Sequence, residues 1–158
     1  MNTYAFVSLC GHFRVRGWVI DCQHINVEQK MAIFLETIAH LMRDHIMKHK
    51  YLHSEAIISK SYHEVLRGML HLSKEMIVPP NFQEPREIHI HKKLREGPFK
   101  WAIGAIDCTL IIAQVPKSDQ IPFREKWKGD CFQNVMAACD FDMNFIYVQA
   151  GWEGIAHD

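Results

Sequence analysis

A chain of 158 residues has room for one domain with a real core, or for one small domain and part of another, and not for two complete ones. Its 48% hydrophobic and 23% charged content is that of an ordinary globular protein, and no apolar run reaches the roughly 20 residues of a membrane span, so no membrane partner is expected. A formal net charge of zero and a pI near 7.2 exclude attraction of the whole chain to a polyanion; nucleic-acid binding would have to rest on a local patch.

The amino terminus, MNTYAFVSLCGHFRVRGWVI, lacks a basic start, an uninterrupted apolar stretch and a small-residue cleavage site, so no secretory signal is expected. The five cysteines, Cys10, Cys22, Cys108, Cys131 and Cys139, are odd in number, irregular in spacing and without a CxxC pair, which argues against a disulfide framework. Cys10-Gly-His12 and Cys22-Gln-His24 form two C-x-H units in a chain with eleven histidines. Structural zinc knuckles space their ligands more widely, so zinc is not expected and ordinary buried thiols are.

Residues 26–47, NVEQKMAIFLETIAHLMRDHIM, place Met31, Phe34, Leu35, Ile38, Leu41, Met42 and Ile46 on the apolar stripe of an amphipathic helix, with Asn26 and Gln29 as its capping start. A second stripe runs through Ile58, Tyr62, Val65, Met69, Leu72 and Met76, started by Ser54 and Glu55. Between them MKHKYLHS holds a turn or a small middle helix. Two readings stay open: a helix-turn-helix whose outward Ser59, Lys60, His63 and Arg67 face DNA, or two helices that pack together and leave those charges solvated.

VPPNFQEPREI, with three prolines, ends the helical half. Beyond it WAIGAIDCTLIIAQV, CFQNVMAACDF and NFIYVQAGW each read as strands, the first two joined by a polar loop and the last two by a tight hairpin at DFDMN. The expected organisation is a helical region at 1–77, a linker at 78–97 and a sheet-forming segment at 98–158. The fold class is α+β, helices first and then an antiparallel-neighboured sheet.

Asp107 stands inside an apolar run that reads as a buried strand, where an ionised carboxylate needs a partner. It can bond nearby backbone amides or Thr109, pair with Arg124, Lys126 or Lys128, or join other carboxylates around a divalent cation.

The blocks PFKWAIGAIDCTLI (98–111), KG (128–129), QNVMAACDFDMNFIYVQAGWEG (133–154) and the closing AHD resemble the catalytic domain of PIF/Harbinger transposases and their domesticated nuclease-like relatives. EQKMAIFLETIAH (28–40) and LHSEAIISKSYHEVL (52–66) resemble that family's amino-terminal helical region. The resemblance implies an incomplete ribonuclease-H-like mixed sheet and a metal-dependent endonuclease or strand-transferring activity. It also implies a nuclear location and DNA as partner, with or without a separate DNA-binding protein. Its first acid falls on Asp107 and its second on Asp158, both as ligands of Mg²⁺ or Mn²⁺, while Asp140 and Asp142 read as hairpin residues.

Some positions depart from the family pattern. Cys108 and Leu110 replace the glycine and histidine that usually follow the first acid, and Ile155 replaces a small polar residue before the second. The third acid would lie beyond Asp158. The expectation is therefore a nuclease-like chain without activity as it stands; the alternatives are a domesticated module that binds DNA or protein without catalysis, and a decayed fragment.

Overall fold

Asn26 starts a helix as its place before Gln29 requires: its side-chain oxygen accepts the Gln29 backbone amide at 2.8 Å, and the helix runs Val27–His40. The computed structural model describes residues 1–79, 97–99, 102–124 and 129–154. It divides the chain into two units, Met1–Glu75 and Met76–Asp158. The first holds four helices, α1 (Thr3–Val15), α2 (Val27–His40), α3 (Asp44–Tyr51) and α4, which continues to Met76 from Glu55.

The single helix expected over 26–47 is two. Leu41 adopts a left-handed conformation (φ 50°, ψ 39°) and ends α2, with the Met42 amide turning back to the Thr37 carbonyl at 3.2 Å. Neither glycine nor proline marks the break, so periodicity runs straight through it. A left-handed leucine costs about 1–2 kcal/mol. What offsets the cost is the direction it gives α3, which buries Met47 completely beside Ile25, Ile33 and Ile58.

α1 is a helix that the sequence periodicity also contains, beyond the two expected from it. Asn2 accepts the Ala5 amide at 2.8 Å, and Phe6, Leu9, Cys10 and Phe13 follow at helical spacing. Cys10 and Phe13 are fully buried with Val19, Val27, Met31 and Val65 in the larger core cluster, which Phe34 completes. Gly68 on α4 makes room for the Phe13 ring of α1: a Cβ there would lie 2.6 Å from that ring.

α3 ends as α2 does, on a left-handed leucine, Leu52 (φ 55°, ψ 37°). His53 and Ser54 complete a three-residue turn, and the Ser54 hydroxyl accepts the Ile57 amide at 3.4 Å at the start of α4. That start is the one the sequence signals.

Charged side chains tie the first unit together. Arg14 on α1 holds Asp21 at 2.8 Å and Glu28 on α2 at 2.7 Å. The Arg14 hydrogen bonds, followed by the Val27 amide, hold the Asp21 carboxyl well below its ordinary 3.8, at about 2. A carboxyl depressed in the folded state adds stability above its unfolded pKa and loses it as pH falls through the folded one. Acid unfolding followed by circular dichroism is expected to lose ground between about pH 4 and about pH 2. Asp21→Asn should shrink that loss; an unchanged acid limb would refute the link.

In the second unit β1 (Ala105–Ile112), β2 (Phe132–Cys139) and β3 (Phe145–Glu153) form one antiparallel sheet in the order β1-β2-β3. The three strands are the three apolar segments of the sequence, and the class is α+β with an incomplete sheet. The β2–β3 turn is built on Asp140, 5% exposed, whose carboxylate accepts the Asp142 and Asn144 amides at 2.9 Å each.

The expectation of a buried first strand is not met. Every residue of β1 is exposed except the half-buried Cys108. Among the described residues of this unit only two short 3-10 turns, Lys117–Asp119 and Ile121–Phe123, accompany the sheet, and these give neither face a helical layer. Apolarity marks a strand that a layered fold can bury; burial itself depends on the layers.

Candidate nucleic-acid interface

At 100° per residue, the buried Ile58, Ser61, Val65 and Gly68 fix one face of α4 as its inner face. Opposite them lie Lys60, His63, Arg67, His71 and Lys74, all exposed. This stripe holds no acid. The two acids on its flank are occupied: Glu64 takes the Lys30 ammonium at 2.8 Å and the Ile20 amide at 3.1 Å, and Glu75, exposed, takes Arg16 at 3.1 Å. Among the described residues no ion pair engages Lys60, Arg67 or Lys74, so their charges face solvent uncancelled.

Lys30 explains why α4 holds this rotation. It is 2% exposed, and its ammonium meets the Ile20 carbonyl and Glu64, both at 2.8 Å, and Cys22 Sγ at 3.3 Å. A buried ammonium requires such a full set of partners. It thereby fixes which side of α4 points outward.

The sequence candidates Lys60, His63 and Arg67 thus fall on one exposed stripe, and Ser59 lies half-buried beside it. The His63 ring bonds the Ser59 carbonyl through Nδ1 at 2.8 Å. Sequence reasoning missed His71 and Lys74, although continuing the same spacing along the helix finds them. His71 stacks on the Trp18 ring with centroids 5.7 Å apart.

The basic residues of α3 contribute less than their number suggests. Lys48 pairs with Glu55 at 2.7 Å, and Lys50 pairs with Glu36, whose other oxygen accepts the Tyr51 hydroxyl at 2.8 Å. These contacts, Lys50 foremost, lower the Glu36 carboxyl, and Lys48 lowers that of Glu55. Burial, then Glu36, pushes the Tyr51 hydroxyl up to about 12. The pairs knit α2, α3 and the start of α4 into one scaffold. Lys92, Lys93 and Arg95 lie outside the described residues.

Asp107 lies exposed on β1, opposite Ala137 of β2. Its carboxylate accepts the Cys108 backbone amide at 2.8 Å, which is the first of the partners considered for it. Arg124 instead holds the Gln120 side chain at 2.6 Å, and Lys126, Lys128 and Asp158 lie outside the described residues. Among the described residues no group of three or more histidine, cysteine or acidic side chains converges for a metal ion. Asp107 by itself is not a donor set for Mg²⁺ or Mn²⁺.

The two C-x-H units go separate ways. Cys10 is sealed in the core, where burial raises its thiol pKa, and His12 packs edge-on against Phe13 and Trp18. Cys22 lies at the surface beside Lys30. Among the described residues no helix is long and apolar enough to cross a membrane.

A family model described as a domain of unknown function, DUF8040, matches residues 1–71, the span from α1 to His71 on α4. No curated protein matches the chain, and no solved structure matches it.

Proposed function

We propose that this chain is a Harbinger-transposase-derived protein that acts on DNA in the nucleus, and that its helical unit docks on duplex DNA through the outer stripe of α4. The observation that carries the reading is the acid-free line Lys60, His63, Arg67, His71 and Lys74 on a helix preceded by a short helix and a three-residue turn. A helix-turn-helix presents its second helix to the major groove in this order of elements. Three cations without an ion pair among the described residues give a modest electrostatic footprint. Duplex affinity is expected in the micromolar range at low salt, with a log–log salt slope of about −3. Fluorescence anisotropy on a labelled duplex checks it, and salt-independent binding would sink the docking reading.

The sheet is proposed as the scaffold of the metal-dependent endonuclease that the sequence resemblance implies. Support comes from the family-like blocks around Asp107 and from Gln133 onward, and from Asp107 being strand-borne. Asp107 and Asp158 are the proposed ligands of Mg²⁺ or Mn²⁺. Such ions, when held, activate water and stabilise the leaving oxygen of a phosphodiester. Any Mg²⁺- or Mn²⁺-dependent nicking of supercoiled plasmid by the protein is expected to vanish in Asp107→Asn. Nicking at an undiminished rate in that variant would remove Asp107 from the site.

A domesticated module that binds DNA without cutting it is the second reading. The replacement of the family's glycine and histidine by Cys108 and Leu110 beside Asp107 supports it. The same two assays separate the readings: binding without nicking supports this one.

A further inference from the structure

His63 lies midway along the outer stripe of α4, exposed, three residues after Lys60 and four before Arg67. Its Nδ1 is 2.8 Å from the Ser59 carbonyl oxygen, one turn back along the helix. A carbonyl has no proton to give, so Nδ1 must be the donor. That hydrogen bond fixes the tautomer. In the neutral ring it leaves Nε2 as an acceptor, and protonation turns the same atom into a donor.

The bond also fixes where the ring lies. It draws the imidazole toward the beginning of α4, the end of a helix-turn-helix recognition helix that meets base edges. The Tyr62 ring meets it edge-on at 5.6 Å between centroids. The charged groups bordering it are Lys60 and Arg67 on the stripe and Glu64 on the inner side, whose carboxylate is occupied by Lys30 and the Ile20 amide. Among the described residues no group from another helix hydrogen-bonds to the His63 ring or forms an ion pair with it.

Major-groove edges distinguish bases by hydrogen-bond polarity: cytosine N4 and adenine N6 donate, while guanine O6 and N7, thymine O4 and adenine N7 accept. We propose that His63 is a specificity-determining residue of α4 whose base preference reverses with its protonation. Neutral, it accepts from the exocyclic amine of cytosine or adenine; protonated, it donates to guanine or thymine, whose major-groove edges only accept. The inference rests on the DNA-docking reading and adds to it a residue, a polarity and a condition.

The test is selection from a randomised duplex pool by the intact chain at low salt, at about pH 5.5 and about pH 8. Wild type, His63→Gln and Lys60→Gln are compared, each first shown to melt cooperatively. In the wild type one position of the contacted strand is expected to shift from cytosine at the higher pH to guanine or thymine at the lower, by about fivefold. His63→Gln should keep one preference at both, because an amide offers donor and acceptor whatever the pH. Lys60→Gln should bind more weakly and still show the shift.

A wild-type preference that is the same at both pH values, or a shift that persists in His63→Gln, would overturn the inference and leave docking intact. A folded wild-type chain that retains no duplex at either pH would overturn the docking reading, and this inference with it.

Discussion

Replacing Glu64 by alanine is expected to destabilise the helical unit by about 3–5 kcal/mol. The magnitude follows from what remains. Lys30 is 2% exposed and Glu64 is its only carboxylate partner among the described residues, at 2.8 Å. Without it the ammonium keeps the Ile20 carbonyl and the Cys22 sulfur, neither of which carries a compensating charge. The Ile20 amide would lose its acceptor as well. Lys30→Met removes the ammonium and keeps much of the volume, so it should cost far less or nothing, since ion pairs replaced by well-packed apolar groups are often neutral or stabilising. Urea unfolding of the intact chain measures both. If the two variants lose the same stability within about 0.5 kcal/mol, the cost does not come from a stranded charge.

Reversing charge at Lys60 and Arg67 together is expected to lower duplex affinity by at least about 100-fold at low salt and to flatten the salt slope by about 2. On the proposed docking to DNA, each substitution would remove a phosphate contact and add a repelling carboxylate to a stripe that contains none. The comparison that gives the result meaning is the double reversal of Lys48 and Lys50. Those side chains are already paired, with Glu55 and Glu36, so the loss there should be several-fold smaller. Equal losses from the two double variants would mean that binding follows net charge and that α4 has no privileged face. Both side chains of the first variant are exposed, and the folded state should tolerate the change. Melting curves recorded alongside the anisotropy titrations verify that point.

The two predictions are connected through one residue. Glu64 is part of α4, and its inward bonds to Lys30 and to the Ile20 amide help set the rotation that leaves Lys60, His63 and Arg67 outside. A folded variant that weakens this anchor should blur base preference more than it lowers non-specific affinity, because phosphate contacts tolerate small rotations better than base contacts.

Local chemistry determined much of this protein. Asn26 before Gln29, Ser54 before Glu55, the stripe from Ile58 to Leu72 and three apolar segments after residue 102 yield α2, α4 and the strands, because caps and periodicity act over a few residues. The outward placement of Lys60, His63 and Arg67 follows from that same period. α1 was equally legible in Asn2, Phe6, Leu9, Cys10 and Phe13.

Tertiary structure decided what spacing could not. The break at Leu41 carries no local signal, and only the burial of Met47 beside Ile33 and Ile58 accounts for it. Which cations remain unpaired is also a matter of partners distant in sequence: Lys50 finds Glu36 across a turn, while Lys30, on an apolar face, is drawn into the core by Glu64. The exposure of β1 around Asp107 belongs to the same class, since a strand's own residues give its alternation, and only the layers packed against a sheet decide how much water its side chains meet.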